Sequence, residues 1–137
     1  MEAFIHEATE FTPHVVLDPD NNIFEISGFS RPEDVRTFYS PILKWFDDLE
    51  SEIGTPYFPA RYEKEPIKFE FKLSYFNSAS AKFLLDVLMQ INSLYTRGIQ
   101  IEIKWYYEEG DDEILESGEE LAEMVDFDFE FIVVEED

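Results

Sequence analysis

The amino-acid sequence predicts an α/β fold, a two-layer sandwich in which three helices cover one face of a mixed sheet of about five strands. Three segments, residues 67–73, 99–105 and 127–131, alternate apolar residues with charged or polar ones, the pattern of a strand with one buried and one solvated face. Other segments repeat apolar residues at three- and four-residue steps, as amphipathic helices do. Strands covered on both faces would be continuously apolar, so we expect the helices on one side only.

The first elements are expected to be an arm and a hairpin. The mixed composition of residues 1–12 predicts a loosely held arm with no more than a short strand near residues 4–5. Two runs rich in β-branched and aromatic residues, 14–17 and 23–27, flank a cluster of Asp, Asn and Pro that is typical of a turn. They predict a β-hairpin that ends at Gly28.

The spacing of apolar residues predicts three helices. Ser30 is expected to cap the first, because its hydroxyl can accept a hydrogen bond from a free N–H of the first turn. The second is expected to end near Gly98, and the third, around residues 114–125, to be weakened by Gly118 in its middle. The predicted order is β-β-α-β-α-β-α-β, in which strand–helix–strand units favour parallel neighbours.

Composition excludes several classes of function. Residues 1–137 are expected to form one domain, with 135–137 as a solvated acidic tail. The net charge of −22 repels phosphate backbones and anionic lipid headgroups, so neither a nucleic acid nor a membrane is expected as a partner. There is no Cys, the two His lie in no triad context, and no glycine-rich phosphate loop is present. We expect a cytoplasmic protein that is not an enzyme and needs no cofactor.

Residues 108–113, Glu-Glu-Gly-Asp-Asp-Glu, form an acidic run that is able to offer carboxylates to a divalent cation. The run does not follow the spacing of an EF-hand loop, and acidic residues are also favoured at the start of a helix. We therefore predict no metal site. A module that binds a small ligand or a divalent cation through this loop is the alternative function.

The remaining candidate site is the strand–helix junction Asn77-Ser78-Ala79-Ser80. Either Asn77 or Ser78 is suited to cap the helix. The junction also lies at the carboxyl end of a predicted central strand, where open α/β sheets place functional groups and where free helix N–H groups favour a phosphate. Lys82 lies four residues after Ser78 and shares its helix face. The residues alone leave both a structural cap and a regulated serine open.

Three blocks of the sequence, in order, resemble the SiaC family of bacterial regulatory phosphoproteins. The blocks are Gly28–Asp34 with Phe38–Pro41 and Trp45, then Tyr75–Lys82, then Trp105–Tyr107 with the acidic run after it. The family is similar in fold to STAS domains, the anti-sigma-factor antagonists, so the resemblance implies a STAS-like fold. This sequence departs from the usual motif in having Ser78 where Thr is commoner and Ala79 where Ser is frequent.

The resemblance implies a regulator that acts by partner switching. In the family, a Ser/Thr kinase of the histidine-kinase-like ATPase type phosphorylates the hydroxyl residue after the Asn, and a PP2C-type phosphatase removes the phosphate. The unphosphorylated form binds and stimulates a diguanylate cyclase in the characterised branch, which places the family in cyclic di-GMP signalling. Ser78 is the implied acceptor and Ser80 the second candidate. The motif residues expected to contribute to partner binding are Tyr75, Asn77, Lys82, Trp105, Tyr106 and Tyr107.

Overall fold

The computed structural model describes residues 1–135 and contains one six-stranded sheet and three α-helices. The strands are β1 Phe4–His6, β2 His14–Asp18, β3 Ile23–Ser30, β4 Ile67–Phe76, β5 Ile101–Glu108 and β6 Glu130–Val134. The helices are α1 Val35–Ser51, α2 Ser78–Thr96 and α3 Asp112–Val125. The predicted α/β class and order of elements are confirmed, with β1 as a sixth strand. The last two residues of the predicted acidic tail lie outside the described residues.

The order of strands in the sheet follows the chain, from β1 to β6. The first three strands pair antiparallel, and β3 to β6 are parallel neighbours, as predicted for strand–helix–strand units. The predicted arm contributes β1, which pairs with β2 from Phe4↔Leu17 to His6↔Val15. None of the described helices is both long and apolar enough to cross a lipid bilayer.

One face of the sheet is apolar and the other is charged. The helices cover the face that carries the large buried side chains, among them Phe24, Phe69 and Trp105. On the open face, Lys72 Nζ lies 3.0 Å from a carboxylate oxygen of Glu25 and 3.1 Å from one of Glu70. Burial raises the pKa of Glu25, but hydrogen bonds from Lys72 and Ser27 outweigh it and leave the pKa below its ordinary value. The expectation of one solvated face is confirmed.

The predicted start of α1 is wrong. The helix begins at Val35, where Asp34 Oδ1 accepts a hydrogen bond from the Thr37 N–H at 3.1 Å. Ser30 is instead the last residue of β3, which continues through Gly28 rather than ending there. Gly28 has a φ of +100°, a conformation that side chains with a Cβ rarely adopt. Because the Ser30 side chain is fully buried, it is not available as a cap.

Gly118, expected to weaken α3, is required for packing. A Cβ at this position would lie 2.4 Å from Nε1 of Trp105. The Trp105 indole is 1% exposed and donates a hydrogen bond to the carbonyl of Ile114 at 2.9 Å. The absence of a side chain at Gly118 lets α3 lie directly on this ring, so the cost in helix propensity is offset by burial of the largest core residue.

We expect Gly118→Ala to lower the free energy of unfolding by about 1–3 kcal/mol, because the added methyl overpacks the contact with Trp105. Helix propensity alone predicts the opposite, a gain of about 1 kcal/mol. Urea denaturation followed by circular dichroism measures the difference. Glu119→Ala, at an exposed position of the same helix, is the control and should change little. In a Trp105→Phe background the penalty should shrink, and a stabilising Gly118→Ala would contradict the packing argument.

Candidate functional site

The junction of β4 and α2 begins with a β-bulge. The pairing with β3 shifts between Gly28 and Phe29, so that Phe29 lies opposite Tyr75 and Ser74 becomes the extra residue. The ring of Phe76 consequently packs against the core and meets Trp105 edge-on. Tyr75 remains 42% exposed and stacks on Phe29 with ring centroids 4.9 Å apart. The bulge therefore reverses the inside–outside alternation of β4 just before α2 begins.

Asn77 is the N-cap of α2. Its side-chain Oδ1 accepts a hydrogen bond from the Ser80 N–H at 2.8 Å. Its own N–H donates to the carbonyl of Ser30 at 3.2 Å, which joins the start of α2 to the end of β3. Of the two caps that the sequence left open, the structure selects Asn77. The hydroxyl of Ser78 is consequently free of a capping role.

A buried network of hydrogen-bonded hydroxyl groups fixes this junction on its core side. Tyr39 of α1 lies 2.6 Å from Ser30 Oγ, Ser30 Oγ donates to Ser80 Oγ at 2.9 Å, and Ser80 Oγ donates to the Ser30 carbonyl at 3.1 Å. All three side chains are completely buried. Burial raises the pKa of the Tyr39 hydroxyl more than the hydrogen bonds with Ser30 and Ser80 lower it. The network ties β3, α1 and α2 together.

Sequence reasoning missed this network. Tyr39 follows the apolar periodicity of α1, which predicts a buried ring, and a buried tyrosine hydroxyl needs a hydrogen-bond partner. That rule signals that a polar partner exists, but not which residue it is. Ser30 lies 9 residues away and Ser80 lies 50 residues beyond Ser30, so only the folded sheet brings the three together.

The two candidate serines have opposite environments. Ser78 is the first residue of α2 and its side chain is exposed. Among residues 1–135 the Ser78 hydroxyl takes part in no hydrogen bond. Ser80, two residues later, has no exposed surface and is bonded to Ser30. Lys82 is exposed, with Nζ 5.0 Å from the centroid of the Phe83 ring. The end of β4 and the first two turns of α2, here called the β4–α2 corner, carry Tyr75, Asn77, Ser78 and Lys82.

The aromatic block Trp105–Tyr107 does not form one surface. Trp105 lies in the core and is not accessible to a partner in this conformation. Tyr106 lies on the open face of the sheet, where Lys72 Nζ is 5.0 Å from its ring centroid. Tyr107 packs partly against the core. Successive residues of a strand point to opposite faces, which separates these side chains.

The acidic run 108–113 forms the connection into α3. Asp111 caps the helix, since its Oδ1 accepts a hydrogen bond from the Ile114 N–H at 3.1 Å. The Glu109 N–H donates to the Val134 carbonyl at 2.9 Å, which fastens the run to the end of β6. In the part of the chain that the structure describes, no three His, Asp or Glu side chains converge closely enough to hold a metal ion. Within these residues the acidic run therefore offers no converging ligand set for the divalent cation of the alternative function.

Comparison with known proteins assigns a family. The model of the SiaC family regulatory phosphoproteins matches residues 6–134. The chain belongs to the SiaC family. It is also 22% identical over 121 residues, 88% of each protein, to an uncharacterized protein of Pseudomonas aeruginosa strain UCBPP-PA14.

The fold of this SiaC-family chain is similar to solved structures over nearly its whole length. The match to SiaC of P. aeruginosa has a TM-score of 0.77 at 20% identity and covers 99% of this chain and 100% of that chain. The match to the crystal structure of the diguanylate cyclase SiaD in complex with its activator SiaC, also from P. aeruginosa, has a TM-score of 0.78 at 20% identity, with coverages of 97% and 99%. At these identities the similarity establishes the fold. The likeness to STAS domains stays a prediction.

A pair of matched variants separates the two serines. We expect Ser80→Ala to lower the free energy of unfolding by about 1–3 kcal/mol, because it leaves the buried Ser30 hydroxyl without its acceptor. Ser78→Ala should change it by less than about 0.5 kcal/mol, because that side chain is exposed. Urea denaturation of both variants checks this. Equal losses, or a larger loss for Ser78→Ala, would contradict the assigned environments.

Proposed function

We propose that this chain is a signalling protein, not an enzyme, that exchanges partners when Ser78 is phosphorylated. The observation that carries the proposal is the exposed Ser78 hydroxyl at the first residue of α2, released from capping by Asn77. Membership of a family of regulatory phosphoproteins supplies the class of function. The corner around Ser78 also presents Tyr75 and Lys82, the exposed side chains that we assign to partner binding.

The proposed cycle needs a kinase and a phosphatase. A Ser/Thr kinase of the histidine-kinase-like ATPase type transfers the γ-phosphoryl group of ATP to Ser78 Oγ, ADP leaves, and a base of the kinase takes the hydroxyl proton. A PP2C-type phosphatase uses water to return the hydroxyl and release inorganic phosphate. In the first reaction Ser78 Oγ attacks the γ-phosphorus, and in the second water attacks the phosphorus and Ser78 Oγ leaves. Both reactions need a side chain that an enzyme can reach, and the exposed Ser78 offers one.

Ser80 is poorly placed as the acceptor. Its hydroxyl is buried and bonded to both the side chain and the carbonyl of Ser30. A kinase would have to open the first turn of α2 and break these bonds to reach it. A phosphate there would also be a dianion in a buried site, which is costly without paired cations. These contacts favour Ser78.

The proposed output partner is a diguanylate cyclase, bound by the unphosphorylated form. This follows the P. aeruginosa protein SiaC, which is described as the activator of the diguanylate cyclase SiaD. A phosphate adds about −2 to a chain whose net charge is already −22, so it changes long-range steering little. Its effect has to be local, at the surface around Tyr75 and Ser78.

Phosphorylation by the cognate kinase tests the acceptor. After incubation with the kinase and ATP, tandem mass spectrometry should place one phosphate on Ser78 of the wild-type chain. Ser78→Ala should abolish phosphorylation, because the acceptor oxygen is gone. Ser74→Ala, which removes an exposed serine of β4, should remain a substrate and is the matched control. A phosphate located on another residue would sink the Ser78 assignment.

Cyclase activation tests the output. We expect wild type and Ser78→Ala to stimulate the cognate cyclase equally before treatment with the kinase. After treatment, only Ser78→Ala should still stimulate it, since only this variant escapes the phosphate. The rate of cyclic di-GMP production is the measurement. Undiminished stimulation by wild-type chain carrying phosphate on Ser78 would contradict the switch.

A further inference from the structure

Two cations from neighbouring helices lie against one aromatic ring, Phe83, in the second turn of α2. Arg36 of α1 has its Cζ 5.9 Å from the centroid of Phe83, and Lys82 of α2 has its Nζ 5.0 Å from the same centroid. Both side chains are exposed. Among residues 1–135 neither is within ion-pair distance of a carboxylate, although the chain has 32 Asp and Glu to offer. This pair of cations therefore has room for an anionic partner.

The register between α1 and α2 is defined by two side-chain hydrogen bonds. Gln90 Nε2 donates to Asp47 Oδ1 at 2.8 Å, and Ser93 Oγ donates to Glu50 Oε1 at 2.6 Å. Each pair is separated by 43 residues in the sequence. A constant separation means that the two helices run parallel, with residue i of α1 level with residue i+43 of α2. Their N-terminal ends therefore lie side by side.

The same register places Arg36 at the level of Ala79, the residue after Ser78. One turn further along, the Tyr39 ring stacks on that of Phe83 at 5.7 Å, close to the expected separation. Packed helix axes are about 8–10 Å apart, a gap that a long arginine side chain spans. A group attached to Ser78 Oγ thus lies within reach of the Arg36 guanidinium from α1.

We propose that Arg36 and Lys82 together bind the phosphate of phosphorylated Ser78 and thereby bridge α1 to α2. Lys82 lies one helical turn after Ser78 on the same face, the spacing at which side chains on a helix meet. The guanidinium of Arg36 offers a planar pair of N–H donors that matches two phosphate oxygens. The free N–H groups of the first turn of α2 add to the site. The inference rests on the proposed function for the presence of the phosphate.

Acidic groups around the β4–α2 corner shift the second pKa of a phosphate in the opposite direction from Arg36 and Lys82. A measured pKa therefore shows which of the two influences prevails. Glu33 and Asp34 precede α1, and Asp86 lies one turn after Lys82. Hydrogen bonding from Thr37 lowers the pKa of Asp34 most, and the positive charge of Arg36 lowers it further. This carboxylate is therefore negative at neutral pH and competes with a phosphate for Arg36. Nearby negative charge raises the second pKa of a phosphate, whereas nearby positive charge lowers it. The phosphate's own pKa therefore distinguishes a clamped phosphate from a free one by the sign of its shift.

The clamp explains how a small change in total charge is able to act as a switch. In the unphosphorylated chain, the corner between the two helices presents two positive groups on an otherwise acidic molecule. Phosphorylation neutralises both, and it joins the first turn of α1 to that of α2. A partner that contacts this corner meets a different charge pattern and a more constrained surface.

A ³¹P NMR titration of the chain phosphorylated on Ser78 tests the clamp. The reference is a phosphorylated peptide of residues 74–84, whose phosphate should have a second pKa of about 6. We expect the second pKa of the phosphate on the wild-type chain to lie below that of the peptide. Arg36→Gln and Lys82→Gln should each raise its pKa by roughly half a pH unit, as for exposed ion pairs, and the double variant should titrate above the peptide. Lys44→Gln, which removes an exposed cation further along α1, is the control and should have no effect.

The outcomes separate the clamp from the proposed function. A wild-type phosphate on Ser78 that titrates at or above the peptide, or that is insensitive to both variants, overturns the clamp and leaves the phosphorylation switch intact. Sensitivity to Lys82→Gln alone overturns the bridge between the helices. A chain in which mass spectrometry finds no phosphate on Ser78 after kinase treatment overturns the proposed function, and the clamp with it. Circular dichroism of each variant verifies that the fold is retained.

Discussion

The carbonyl and hydroxyl of Ser30 hold the corner on which the rest of the site depends. The carbonyl accepts hydrogen bonds from the Asn77 N–H and from Ser80 Oγ, and the hydroxyl is bonded to Tyr39 and Ser80. These hydroxyl groups are buried, so each needs the others to satisfy its hydrogen bonding. The end of β3 and the starts of α1 and α2 are thereby locked in one arrangement. The outward position of Ser78 is a consequence of bonds made by its neighbours.

The high negative charge of the chain limits the effect of a phosphate on Ser78 to its immediate surroundings. Acidic groups outnumber basic ones by 32 to 10, and exposed charges further apart than a Debye length of about 8–10 Å are largely screened. The interactions of a phosphate on such a surface therefore depend on the charges immediately around it rather than on the net charge of the chain. The β4–α2 corner is therefore informative, because Arg36 and Lys82 lie there with no carboxylate within ion-pair distance among the described residues.

The blocks by which the chain resembles its family combine surface and core. In the Tyr75–Lys82 block, Tyr75 and Ser78 are exposed while Ser80 is buried. In the last block, Trp105 fills the core beneath Gly118 of α3 and bonds to Ile114. A shared motif therefore does not identify a contact surface by itself. Burial has to decide, residue by residue, which side chains are able to meet a partner and which hold the fold.

The sequence by itself determined the class of the fold, because alternating strands and amphipathic helices are local patterns set by periodicity. It also singled out the junction at Ser78, since helix starts and strand ends are readable from local composition. It did not determine which serine is accessible. That depends on the bulge at Ser74, which adds one residue and reverses the alternation, and on contacts between Ser30 and Ser80, 50 residues apart. The position of Arg36 at the level of the first turn of α2 likewise comes from the packing of α1 on α2, a relation between distant segments that only the tertiary structure decided.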